Sequence, residues 1–198
     1  MLTTALFALL LQASAPAPAD PPPATERLRA AAPLAAAFPN TTLLGYEVTG
    51  RSPRSVRESI NESKPADPQG QRHDAVTRWR YQPRWMGRNG QCLPESATVE
   101  LQITIILPDL ATRSALPGRE GEAWDRYFDA LVAHEVNHAR VAQAGAEQMQ
   151  AAMRATTDCA GMQAAVQGVN SAVQAANDQY DQQTGHGRTE GAVYPRSR

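Results

Sequence analysis

With 198 residues, 42% of them hydrophobic, the chain can bury one domain's core, and its formal net charge of −1 gives no reason to invoke nucleic acid. All but one of its 19 basic residues are arginine, which with the abundant alanine and proline reads as compositional bias rather than function. The nine basic and four acidic residues between Arg51 and Arg88 come with no aromatic ladder or phosphate loop, so they read as a solvated surface.

The chain opens with a short apolar run, Leu6 to Leu11, too short for a permanent membrane span. Small residues follow, and Ala17-Pro18-Ala19 before Asp20 offers a cleavage site. Residues 1–19 are therefore expected to be a signal peptide, although no lysine or arginine precedes the run, and the destination is secreted or periplasmic. Residues 20–40 are rich in alanine and proline and read as an extended linker, with a turn or two of helix within Ala30–Phe38. The folded domain is expected over 41–195.

Leu44 to Thr49 is a weak strand, and Arg54 to Ser63 fits a short amphipathic helix. Strict alternation marks a strand from Ala75 to Gln82, stopped by Pro83, and another from Ala97 to Leu107, stopped by Pro108. These strands predict a small, mostly antiparallel sheet. Cys92 and Cys159, an isolated pair in an exported chain, are expected to form a structural disulfide.

After Gly118 the period becomes helical. Trp124, Tyr127, Leu131, His134, His138 and Met149 fall on one stripe of a long helix. Thr156-Thr157-Asp158 interrupts it, with Asp158 as the cap of a second, antiparallel helix striped by Met162, Val166, Val169, Val173 and Tyr180. The predicted fold class is thus α+β, a small sheet followed by two long helices.

His134-Glu135-Val136-Asn137-His138 carries the chemistry. Histidines four apart on a helix project from one face and can share a metal, with the glutamate beside the first; this is the H-E-x-x-H arrangement of zinc hydrolases. So short a pattern also arises by chance on surface helices, but here it lies on the inward stripe, where two imidazoles and a carboxylate need partners. The antiparallel return brings Tyr180, Asp181 and His186 level with the histidines. His186, flanked by glycines, is either a third nitrogen ligand or an exposed histidine of a polar tail. Asp181 is either the partner of a ligand histidine's N–H or a solvated carboxylate. Asp158 lies about 30 Å from His138 along an unbroken helix, too far to ligate. Tyr180 is either an electrophile for an oxyanion or a core tyrosine. Asn137 should point away from the metal, and His73 reads as a loop histidine.

Tyr46-x-Val48-x-Gly50, Thr77-x-Trp79, Cys92, Trp124-x-x-Tyr127, the H-E-x-x-H and Tyr180-Asp181-x-x-Thr184-x-His186-Gly187 together resemble the bacterial family known as domain of unknown function 922, described as predicted secreted zinc-dependent proteases. The resemblance spans about residues 42–195 and favours His186 as the third ligand. It implies a zincin-like zinc metallopeptidase in which His134, His138 and His186 hold Zn²⁺, Glu135 acts as general base, and a protein or peptide is the substrate. The alternative is a non-catalytic exported module that keeps zinc for stability, closed by a fourth ligand such as Asp181 or Asp178. Nothing in the pattern argues for an oligomer, and a monomer is expected.

Overall fold

The computed structural model describes residues 20–66, 70–88 and 91–194; the expected signal peptide lies outside them. Two short helices, α1 (Glu26–Ala31) and α2 (Pro33–Ala36), precede strand β1 (Thr41–Val48) and helix α3 (Pro53–Ser63). A long hairpin follows, β2 (Val76–Arg88) and β3 (Gln91–Leu110), then helices α4 (Gly118–Arg154) and α5 (Cys159–Thr184).

The expected mostly antiparallel sheet is in fact mixed. Its order is β1-β3-β2, with β2 antiparallel to β3 and β1 parallel to it. The chain leaves β1 at the end where β2 begins, and the long strand β3 returns into the gap between them. Alternation of side chains is the same in either orientation, so the pattern could not distinguish the two. Both strands also run past the prolines expected to end them. Pro83 sits on edge strand β2, and Pro108 lies beyond Ile106, where β2 no longer flanks β3. A missing N–H costs no ladder bond on an open side.

The 20–40 segment, expected as an extended linker, is packed on the domain. Gly45 N donates to Pro22 O and Ala24 N to Leu43 O, extending the edge of β1. Leu28, Ala32 and Ala35, spaced for one helical face, are buried, and Leu28 lies against Gly45 where no Cβ would fit. Arg27 and Thr25 both reach the buried Asp109 carboxylate, at 2.7 Å each. Alanine spaced on one helical face fills a shallow groove without a large apolar run, which composition alone could not reveal.

Helix α4 runs 37 residues, about 55 Å. Its inward stripe packs the sheet: Tyr81 OH donates to Ala142 O, and Gly145 leaves room for that hydroxyl and for Val173 of α5. As expected, Asp158 caps α5, accepting from Gly161 N at 2.7 Å, and Gly185 ends it in the left-handed conformation. The main core lies between the sheet, α1–α3 and the first half of α4. A second cluster of Ala97, Met149, Met153 and Met162 closes the far end of the α4–α5 pair. There the Cys92–Cys159 disulfide forms, with Cα atoms 5.2 Å apart across 67 residues of chain. Among the described residues no helix is long and apolar enough to cross a membrane.

Candidate metal centre

His134, Glu135 and His138 are all buried, as their place on the α4 stripe required. The two imidazoles turn their Nε2 atoms toward each other, 3.2 Å apart, and toward Asp181 Oδ1 on α5, at 3.1 Å from His134 and 3.2 Å from His138. These three donors form a possible metal-binding triad. Asp181, expected as either a partner to a histidine N–H or a solvated carboxylate, meets both Nε2 atoms. The Nδ1 partners are two residues the sequence reading did not single out. His134 Nδ1 lies 2.8 Å from Glu190 Oε2, and His138 Nδ1 lies 2.6 Å from Asn177 Oδ1.

Those outer partners decide what the triad can hold. Asn177 spends its amide N–H on Val173 O, so its oxygen must accept from His138. A carboxylate likewise only accepts, so His134 carries its proton on Nδ1. In their neutral forms both rings therefore offer Nε2 lone pairs toward an oxygen that is also an acceptor, an arrangement that either a proton or a metal cation satisfies. At metal–ligand lengths of about 2.0–2.2 Å, tetrahedral neighbours stand roughly 3.3–3.5 Å apart, close to the spacing found here. The donor set fits a divalent metal.

Without a metal, a proton takes that place. Burial would lower the pKa of both imidazoles, but the hydrogen bond to Asp181 and the charge of Glu135 outweigh it, and both are raised. Burial would raise Asp181, but the two imidazoles hold it well below the usual carboxylate range. Glu135 is raised by burial, offset in part by His138, His134 and Thr77. Its Oε2 lies 2.7 Å from Thr77 Oγ1 on β2, and its carbonyl oxygen is 3.0 Å from the same hydroxyl, which donates to one of them at a time.

His186 stands at the rim. Its Nδ1 is 3.5 Å from Asp181 Oδ1, its side chain is 62% exposed, and its ring lies 5.4 Å from that of His73. Tyr180 stacks on His134 with ring centroids 4.9 Å apart. Its hydroxyl donates to Glu190 and accepts from Asn137 Nδ2, each at 2.8 Å, and burial pushes its pKa up to about 12. Asn137 therefore bonds to Tyr180 and Arg140 and, in these contacts, to no member of the triad.

Thr77, part of the Thr77-x-Trp79 pair, shares the inward face of β2 with Trp79 and Tyr81, but two positions at this centre carried little signal. Asn177 is a lone polar break in an apolar stripe, four residues from Val173 and from Asp181. Glu190 lies in a polar tail with nothing to mark it.

Residues 45–187 match the family described as bacterial protein of unknown function, DUF922. The chain belongs to this family. The matched span begins in β1 and takes in Thr77, the H-E-x-x-H, Asp181 and His186, but stops three residues before Glu190. No curated protein and no solved structure matches the chain.

Proposed function

We propose that this member of the family is a secreted or periplasmic zinc-dependent metalloprotease with a zincin-like catalytic arrangement. The observation that carries the reading is the convergence of two imidazole Nε2 atoms and a carboxylate oxygen beside the buried Glu135, whose charge both imidazoles feel. His134 and His138 would hold the metal, with Asp181 or His186 as the third protein ligand. When bound, Zn²⁺ supplies Lewis acidity that polarises a carbonyl and acidifies water. Glu135 is the general base, taking a proton from the attacking water and passing it to the leaving amine. The Thr77 hydroxyl orients it. Tyr180 would serve as oxyanion donor only by exchanging Glu190 for the substrate. The substrate is a protein or peptide. The disulfide and the expected signal peptide favour an oxidising compartment outside the cytoplasm.

A second reading rests on His186, whose Nδ1 stands close enough to Asp181 to add a fourth protein donor. Four protein ligands would close the site to water, and the chain would be a non-catalytic zinc-stabilised module. Bound zinc and cleavage of a broad peptide mixture, measured for the wild type and Glu135→Gln, separate the readings. The protease reading expects the variant to keep its zinc and lose about 10²–10⁴-fold in rate. Undiminished cleavage by the variant sinks that mechanism. Zinc without cleavage in the wild type selects the closed site, and a wild type that takes up no zinc removes both.

A further inference from the structure

The two metal-facing imidazoles are braced differently. The partner of His138, Asn177, belongs to α5 itself. The partner of His134, Glu190, lies on the segment 185–194 that follows α5 and whose regular structure is a single 3₁₀ turn at Arg188–Glu190.

That segment follows a path shaped to reach His134. Gly185, His186, Gly187 and Gly191 all have left-handed backbone conformations, with φ of 58°, 55°, 76° and 95°. Gly187 passes directly against the His134 ring, where a Cβ would stand 3.2 Å from Cγ and 2.9 Å from Ala192 Cβ. Beyond it the Tyr194 ring is buried beside Trp124 and Tyr127, with centroids 5.5 and 5.3 Å away, and Arg57 donates to Tyr194 O. Between these two fixed points Glu190 accepts from His134 Nδ1 and from Tyr180 OH, while the Tyr180 ring stacks on the same imidazole.

We propose that Glu190 is a positioning residue for His134, delivered by the 185–194 segment, so that docking of this segment and metal binding at the triad reinforce each other. The proposal rests on the metal-site reading above. Glu190 fixes the His134 tautomer and ring orientation, so that Nε2 presents its lone pair toward His138 and Asp181. A carboxylate behind a ligand imidazole also raises its basicity as a donor. A metal held by His134 favours the conformation in which Glu190 is docked, and by reciprocity the docked segment favours the metal.

The test uses zinc itself as the probe, with affinity measured by chelator competition and backbone amide hydrogen exchange followed across 185–194. Glu190→Ala is expected to weaken zinc binding by about 10–100-fold, and Glu190→Gln, which keeps an acceptor oxygen without the charge, by less. The exposed Arg188→Ala should leave affinity unchanged, separating the carboxylate from general disturbance of the segment. Zinc should slow exchange across 185–194 in the wild type and fail to do so in Glu190→Ala. If both Glu190 variants hold zinc as tightly as the wild type, or if zinc leaves exchange in the segment unaltered, the proposal is overturned while the metal site stands. If the wild type binds no zinc, the site reading fails first and the proposal falls with it.

Discussion

Around Met153 and Met162 the α4–α5 pair closes over fully buried apolar side chains and is pinned by the Cys92–Cys159 disulfide. Around His138 and Asn177 the same two helices meet through hydrogen bonds between polar side chains. The far end gains stability from burial and from a crosslink, and neither depends on what is bound. The near end has polar groups on the stripe where apolar ones would pack, and buried polar groups cost free energy unless every partner is present. One helix pair thus separates stability from chemistry along its length. The centre can be demanding because the opposite end is not.

Removing the crosslink should produce the largest effect. Replacing Cys92 and Cys159 together by alanine is expected to lower stability by about 4 kcal/mol on chain-entropy grounds, read as a shift in the urea midpoint. Zinc affinity of the folded variant should stay within a few-fold of wild type; a loss matching the stability change would show that the two ends are one unit. Asn177→Ala attacks the other end. Leaving His138 Nδ1 buried without its acceptor should cost about 1–3 kcal/mol. Unlike the disulfide variant, it should also weaken zinc binding about tenfold or more. A variant that loses stability while keeping full affinity would remove Asn177 from the site.

A smaller effect is expected from pH, with opposite signs for the metal-free and zinc-loaded protein. Without metal, His134 and His138 have raised folded pKa values, so their stabilisation is complete below the ordinary histidine value of about 6.5 and is lost as pH rises through the folded values. Asp181 is lowered, so its contribution is present above about 3.9 and is lost as pH falls through its folded value. The metal-free protein should therefore be most stable on the mildly acidic side and weaken above neutrality. Zinc needs both rings unprotonated, so its stabilisation grows in the direction in which the protons' fades. Thermal midpoints with chelator and with excess zinc should diverge from about pH 5 to 8. A constant or narrowing gap would argue that the imidazoles do not take the metal.

The parts of this molecule readable from the chain are those governed by local periodicity. His134, Glu135 and His138 had to share the buried face of α4 because the residues around them repeat at helical spacing. Asp158 had to cap α5 because it precedes a new apolar stripe, and the two cysteines had no other partner. Register and approach were harder to read. Levelling the two helices brought both Asp181 and His186 to the histidines, but the rotation of α5 about its axis decides that Asp181 Oδ1 reaches both Nε2 atoms. The alanine-rich start of the chain packs on the edge of β1 at Gly45, a partner that is not a neighbour in sequence, so its composition alone does not reveal the contact.

The H-E-x-x-H was complete in five consecutive residues, since a helix places positions four apart on one face whatever surrounds it. What closes around those residues comes from elsewhere: a threonine from an edge strand, an asparagine and an aspartate from the returning helix, and a glutamate from a tail bent through four left-handed residues. Those partners lie 39 to 58 residues away along the chain. No local spacing encodes such separations, because they depend on how strands and helices pack once the core has formed.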